Sequence, residues 1–154
     1  MEQNEGANIL KKYLGYAIFI AIIAIGYYVF HQPSSPSNIA DKQEELYDKV
    51  LMKIAIELNK AAPIMIDSIT QFENAISSAK NTLQYNYTVN VNKDDFDIDA
   101  YINYSKPQLI NNLKTHPSME IFRKNKVTLI YNYKDKNGAY FYTITITPDL
   151  YIDK

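Results

Sequence analysis

The sequence predicts an α+β domain carried behind one N-terminal transmembrane helix. Three observations predict this: an uncharged apolar run over Tyr13–Phe30, an amphipathic helical pattern after Asp41, and alternating strands around a turn at Asn137-Gly138. They give the order α-β-β-α-β-β after the apolar run, which is a four-stranded antiparallel sheet with helices on one face. We expect a tail over 1–12, a transmembrane helix over 13–30, a linker over 31–41 and a folded domain over 42–154.

The apolar run extends for 18 residues without a charge. As a helix it is about 27 Å long, close to the roughly 30 Å hydrocarbon core of a bilayer. It exceeds the usual h-region of about 7–15 residues, and bulky residues follow it where a cleaved signal peptide needs small ones. We therefore expect an uncleaved anchor with the lipid bilayer as a partner. Its span includes Tyr13, Phe19, Ile22, Ile25 and Phe30.

The charges beside the apolar run predict its orientation. Lys11 and Lys12 precede the run, whereas His31–Asp41 contains no lysine or arginine. The positive-inside rule then places the N-terminus in the cytoplasm and the domain in the periplasm, behind a single pass of the inner membrane. Pro33 and Pro36 among serines predict an extended linker.

The composition excludes several classes of function. The net charge is −1, so the basic surface of a nucleic-acid-binding protein is missing. The chain has no cysteine and four glycines, which leaves no thiol chemistry and little room for phosphate-binding loops. The carboxylates of Asp94–Asp99 lack the glycine and terminal glutamate of an EF-hand, so we interpret them as a helix N-terminus. We expect no catalytic set, no metal and no small-molecule cofactor.

The first helix of the domain begins near Asp41, which has a glutamate three residues later as in a capping box. Pro63 predicts its end, because a residue before proline avoids the α region. Apolar residues recur at three- and four-residue steps and predict a buried stripe. They are Tyr47, Val50, Leu51, Ile54, Leu58 and Ala61.

The strands are predicted by polarity and by turn residues. We place a first strand around Ile69–Ile76 and a second over Thr82–Val91, where apolar and polar residues alternate strictly. The stretch 92–125 is predicted to be helical and interrupted at Pro107 and Pro117. A final hairpin over 127–133 and 139–147 turns at Asn137-Gly138, and a proline at 148 ends it.

Tyrosines concentrate on these strands and allow two interpretations. Tyr85, Tyr87, Tyr131 and Tyr133 could form an exposed aromatic binding face, or they could pack in the core with their hydroxyls at the rim. We favour core packing.

Asp67 follows the apolar run Ile64–Ile66 and is the best candidate for a special carboxylate. Its carboxylate would either act in catalysis, if the protein is a hydrolase, or accept a backbone hydrogen bond near a corner of the fold. We prefer the second role.

Most of the domain resembles a known family. The run Leu58–Asp67, Thr70, the run Leu83–Thr88 and the run Val127–Tyr133 with Asp135 and Gly138 carry the resemblance, followed by Ile144 and Ile146. They resemble small Gram-negative envelope proteins whose domain is described in Pseudomonas as quorum-sensing-regulated virulence factor-like. The resemblance implies an envelope location and no catalytic residues. Family members typically are secreted behind a cleaved signal peptide and have cysteines near His116 and Tyr151, which this chain lacks.

These observations predict a single-pass inner-membrane protein that presents a non-catalytic domain to another envelope protein. Two alternatives remain. One is an envelope hydrolase that uses carboxylates such as Asp67, which requires two carboxylates converging in one cleft. The other is a secreted virulence-associated domain, if the anchor is cleaved.

Overall fold

The computed structural model describes residues 41–78 and 80–152. The described residues form four α-helices, five strands and two short 3-10 turns. Their bounds are α1 Asp41–Ala61, β1 Ile64–Met65, β2 Thr70–Ser78, β3 Thr82–Val89, a 3-10 turn Lys93–Asp95, α2 Ile98–Thr115, a 3-10 turn Pro117–Met119, α3 Glu120–Lys124, β4 Thr128–Asp135, β5 Tyr140–Ile146 and α4 Pro148–Tyr151.

The predicted tail, the transmembrane helix and residues 31–40 of the predicted linker lie outside the described residues. The same holds for the residues on which the topology prediction depends. These are Lys11, Lys12, Tyr13, Phe19, Ile22, Ile25 and Phe30. Within 41–78 and 80–152, no helix combines the length and the apolar character needed to cross a bilayer.

The domain is α+β, as predicted, but its sheet differs from the predicted four antiparallel strands. The described sheet has five strands in the order β1-β2-β3-β4-β5. β3 and β4 are parallel, and the other neighbours are antiparallel. The helical stretch between β3 and β4 returns the chain to the starting end of the sheet, so β4 must run parallel to β3. β1 has only two residues, too few to show a sequence pattern.

Two prolines in the helical stretch behave differently. Pro117 opens a 3-10 turn after α2 has ended, as predicted, whereas α2 continues through Pro107, so that predicted interruption is wrong. A proline inside a helix costs about 3 kcal/mol because it lacks an N–H and crowds the preceding turn. Tyr101, Leu109 and Leu113 pack against the core on both sides of Pro107. Tertiary packing therefore outweighs the local preference.

The core lies between one face of the sheet and the helices. α1 packs on β2 and β3, and α2 packs on β5 and α4. In β3 every second residue is buried, which confirms the predicted alternation. Fully buried side chains come from both layers and from the segment before β4. The largest are Phe72, Ile54, Leu58, Leu83, Leu113, Met119, Leu129, Ile144, Ile146 and Val127.

Two polar side chains, Arg123 and Tyr151, hold the return of the chain from β3 to β4. The Arg123 guanidinium donates to the carbonyl oxygens of Leu113 and His116, at 2.6 and 2.9 Å, where α2 ends. The buried hydroxyl of Tyr151 donates to the carbonyl oxygen of Val127 at 2.6 Å, just before β4 begins. Both donors bind backbone carbonyl groups at corners between elements, where a carbonyl has fewer partners than inside a helix or a strand.

One outer edge of the sheet is closed by a side chain. β1 pairs with only the start of β2, at Phe72 and Gln71. Further along β2, Asn59 of α1 donates to the Ala75 carbonyl oxygen at 2.9 Å and accepts from the Ala75 N–H at 2.6 Å. The amide of Asn59 thus takes the place of a neighbouring strand and ties α1 to the sheet.

The final hairpin turns around Asp135, at the end of β4. Its carboxylate accepts from the N–H groups of Asn137 and Ala139 at 2.8 and 2.9 Å. Gly138 has a φ of +81°, which favours glycine. Burial alone would raise the pKa of Asp135, but these hydrogen bonds, with help from the Lys136 charge, outweigh it and lower the pKa.

We predict that Asn59→Ala destabilises the domain by about 1–2 kcal/mol, because both polar groups of Ala75 lose their partner. The measurement is urea unfolding of the full chain, and the expected change is a lower midpoint with an unchanged slope. Lys53→Ala, at an exposed position of the same helix, is the control. Equal midpoints for the two variants would contradict the role of Asn59.

We predict that the stability advantage of the wild type over Asp135→Asn depends on pH. The pKa of Asp135 is lowered in the folded state from 3.8. The stabilisation is therefore fully present above the unfolded value and is lost as the pH falls through the folded value. Urea midpoints of both proteins, measured from neutral pH to pH about 2, should converge at the acidic end. A difference that stays constant with pH would argue against this hydrogen-bonded carboxylate.

Candidate functional site

A tyrosine cluster covers the inner face of the central strands. The parallel register places Tyr85 beside Tyr131 and Tyr87 beside Tyr133. The ring centroids of these pairs are 5.3 and 5.0 Å apart, and the rings are stacked within 22° of parallel. Tyr142 of β5 continues the stack, 4.4 Å from Tyr133. We use the name tyrosine cluster for these five residues.

All five rings of the tyrosine cluster are buried, with exposed fractions of 2–7%. Desolvation raises the pKa of every member, so each phenol stays protonated far above neutral pH. The interpretation of Tyr85, Tyr87, Tyr131 and Tyr133 as an exposed binding face is therefore wrong. These rings lie in the core because the helices pack on the face of the sheet that carries them.

Tyr101 of α2 and Asp67 approach the end of the tyrosine cluster at Tyr133 and Tyr142. The Tyr101 ring lies 5.5 Å from that of Tyr142 and 6.4 Å from that of Tyr133. Desolvation raises the pKa of Tyr101 and Tyr142, and the negative charge of Asp67 raises both further. Tyr101 thus joins α2 to the sheet through ring contacts with Tyr133 and Tyr142, a role that the sequence pattern did not indicate.

The candidate carboxylates act as backbone acceptors. Asp67 Oδ1 accepts from the N–H groups of Ile69 and Thr70 at 2.9 and 2.8 Å, which is the role that we preferred for it. Asp97 Oδ1 accepts from the Ala100 N–H at 2.9 Å and caps the start of α2, as expected of a carboxylate at a helix N-terminus. Within the described ranges, no group of three or more His, Cys, Asp or Glu residues could hold a metal ion.

A groove along α2 offers space for a partner. It has a cavity volume of about 400 Å³. We call it the α2 groove; it is lined by Ile102, Asn103, Lys106, Pro107, Ile110, Asn111 and Lys114. Ile102 and Ile110 are half-buried against the core, and Asn103 and Asn111 are exposed. The groove therefore has an apolar floor and a polar, basic rim.

The α2 groove was missed in the sequence although a signal for it exists. Ile102, Lys106, Ile110 and Lys114 recur at four-residue steps, so they share one stripe of a helix. The predicted interruption at Pro107 divided this stripe into two short pieces. Only a helix that is continuous through the proline brings the two isoleucines onto one surface.

Comparison with known proteins identifies related folds. A family model described as a domain of unknown function (DUF8479) matches residues 45–145. No curated protein matches the chain. A candidate secreted protein from Pseudomonas aeruginosa has a similar structure, with 15% identity and a TM-score of 0.61 over 74% of this chain and 100% of its own.

Two pilotins of type 2 secretion systems also have similar structures. The pilotin from Vibrio vulnificus is 10% identical, with a TM-score of 0.60 over 75% of this chain and 100% of its own. The pilotin from Vibrio cholerae is 7% identical, with a TM-score of 0.54 over 71% of this chain and 95% of its own. At these identities the likeness establishes a shared fold.

We predict that the tyrosine cluster ionises only when the domain unfolds. In the folded state the pKa of each phenol is raised above its unfolded value of 10.0. Burial of the neutral phenols therefore stabilises the fold fully below pH 10.0, and this stabilisation is lost as the pH rises beyond that value. Ultraviolet absorbance reports phenolate formation, and circular dichroism reports unfolding. The absorbance difference between wild type and Tyr131→Phe isolates one member, and it should appear together with unfolding. Ionisation of Tyr131 in a folded chain would contradict the prediction.

Proposed function

The chain belongs to the family described as a domain of unknown function (DUF8479), and we propose that it is a non-catalytic protein-binding domain of the bacterial cell envelope. The carrying observation is the α2 groove. Protein interfaces combine an apolar centre with a polar rim, and the groove has Ile102 and Ile110 at its floor with amides and lysines around them. The pilotin fold of the two Vibrio proteins supports a place in the envelope.

The partner is another envelope protein that inserts apolar side chains between Ile102 and Ile110. Lys106 gives the rim a positive charge. A partner segment with acidic residues beside its apolar ones is therefore the best complement, because opposite charges at a rim favour association and fix register.

We further propose that residues 13–30 anchor the domain to the inner membrane, with the N-terminus in the cytoplasm and the domain in the periplasm. The 18-residue apolar run behind Lys11 and Lys12 supports this topology. The resemblance to quorum-sensing-regulated virulence factor-like domains supports an envelope location as well. Cleavage after the run would instead release a secreted domain.

The hydrolase alternative gains no support from the carboxylates proposed for it. A carboxylate pair in a cleft is the arrangement that acid–base hydrolysis needs. Asp67 instead accepts two backbone hydrogen bonds at a turn. Asp97 likewise accepts a backbone hydrogen bond, at the start of α2.

Photo-crosslinking in cells tests the binding site. A crosslinking amino acid at Asn111, on the rim of the α2 groove, should yield a specific adduct with one envelope protein. Position 88, on the opposite face of the sheet, is the control. Lys106→Glu should reduce the yield of adduct several-fold, because the positive charge that faces the acidic partner is lost. Lys134 is an exposed lysine on β4, and Lys134→Glu should leave the yield unchanged. Equal adducts from positions 111 and 88 would contradict the α2 groove as the site.

A reporter fusion tests the topology separately. A reporter that is active only in the periplasm, fused after Lys154, should be active and full-length in the membrane fraction. An active but shortened and soluble product would indicate cleavage and secretion. An inactive reporter would overturn the envelope location.

A further inference from the structure

Within the part of the chain that the structure describes, β5 is an open edge of the sheet. β4 pairs with one side of β5, and β5 is the last strand in the sheet order. Among residues 41–78 and 80–152, no backbone–backbone hydrogen bond reaches the other side of β5. The unpaired N–H and C=O groups of a seven-residue edge are a template for one more strand.

Apart from an irregularity at Phe141, near its start, β5 lacks the features that normally protect an edge. Its sequence, Tyr-Phe-Tyr-Thr-Ile-Thr-Ile, contains no proline and no charged residue. The opposite edge, at β2, is closed by the short β1 and by the Asn59 amide bound to Ala75. Among the described residues, β1 and Asn59 therefore occupy part of one edge of the sheet, and no strand pairs with the other edge.

We propose that a second copy of this chain adds its own β5 to this edge, antiparallel and across a two-fold axis centred on Ile144. Thr143 of each copy then lies opposite Thr145 of the other, and Tyr142 lies opposite Ile146. The two five-stranded sheets become one continuous ten-stranded sheet. The proposal does not rest on the α2 groove or on the proposed function.

The strand is self-complementary in this register. Thr143 and Thr145 are exposed, whereas Tyr142, Ile144 and Ile146 are buried on the inner face. Antiparallel pairing about Ile144 matches threonine with threonine outside and apolar with apolar inside, and such cross-strand pairs stabilise sheets. A shift of one residue would place exposed threonines opposite buried side chains. A neutral strand also places no like charges opposite each other.

A row of hydrogen-bonded polar side chains runs across the outer face and reaches the same edge. The Asn86 amide donates to Asn74 at 2.7 Å, and the Asn132 amide donates to Asn86 at 3.1 Å. Thr143 completes the row by donating its hydroxyl to Asn132 at 3.0 Å. In the two-fold pair, Thr145 of the second copy lies beside Thr143, so the polar row continues into the second sheet.

Charge-swap variants of the full chain test the pairing. Thr143→Lys/Thr145→Lys and Thr143→Glu/Thr145→Glu each place like charges opposite one another. Each should weaken self-association by about tenfold, as measured by analytical ultracentrifugation. Mixing the two variants should restore association, because opposite charges then face each other. This restoration also shows that neither variant failed for lack of folding.

Disulfide crosslinking tests the register, and the absence of cysteine makes the chain a clean background. Directly opposite Cβ atoms in an antiparallel pair are about 4.5–5.5 Å apart, close to the roughly 3.5–4.5 Å of a disulfide. Thr143→Cys/Thr145→Cys should therefore give covalent dimers on mild oxidation. Thr82→Cys/Gln84→Cys, with the same spacing on the central strand β3, should not.

Three outcomes would overturn the proposal. The wild type stays a monomer at the highest concentration reached; its self-association does not respond to the charge swaps; or the β5 cysteines crosslink to a different protein. Self-association that ignores the charge swaps would mean that another part of the chain forms the contact. Crosslinking of the β5 cysteines to a different protein would mean that the edge binds a strand of that protein. Dimers that respond to the swaps and crosslink at 143 and 145 support the second copy.

Discussion

The parallel pairing of β3 with β4 is the constraint on which the rest of the structure depends. Its register aligns Tyr85 with Tyr131 and Tyr87 with Tyr133, which builds the aromatic core. A parallel pair also requires the chain to return along the sheet. The helical stretch that makes this return carries Tyr101, the α2 groove and the corner held by Arg123. The parallel pairing of β3 with β4 therefore determines where the aromatic core, the α2 groove and the edge strand β5 lie.

Local patterns predicted much of this fold because they report local chemistry. The alternation over 82–91 indicated which residues of β3 face inward, and Asn137-Gly138 indicated the hairpin, since a positive φ favours glycine there. Pro63 predicted the end of α1, because the residue before a proline avoids the α region. Asp67 could be assigned its backbone role because a carboxylate before a strand commonly caps a turn.

What the sequence did not reveal depends on contacts between distant residues. Nothing in β4 itself shows whether its neighbour runs parallel, so an antiparallel sheet was predicted. Pro107 indicated a break, yet α2 continues through it, with Tyr101 and Leu113 packed into the core on either side of the proline. The tyrosines of β3 and β4 allowed two interpretations because the covered face of a sheet is decided by where the helices pack.

The closure of the β2 edge by Asn59 limits how many chains a sheet of this kind can join. A sheet with two open edges can add copies at both ends without stopping, which is the geometry of fibres. Here the short β1 and the Asn59 amide, which binds Ala75 from α1, occupy that other edge. Pairing through β5 can therefore happen once and then stops. Asn59, which lies outside the proposed β5 contact, thus helps to limit assembly to two copies.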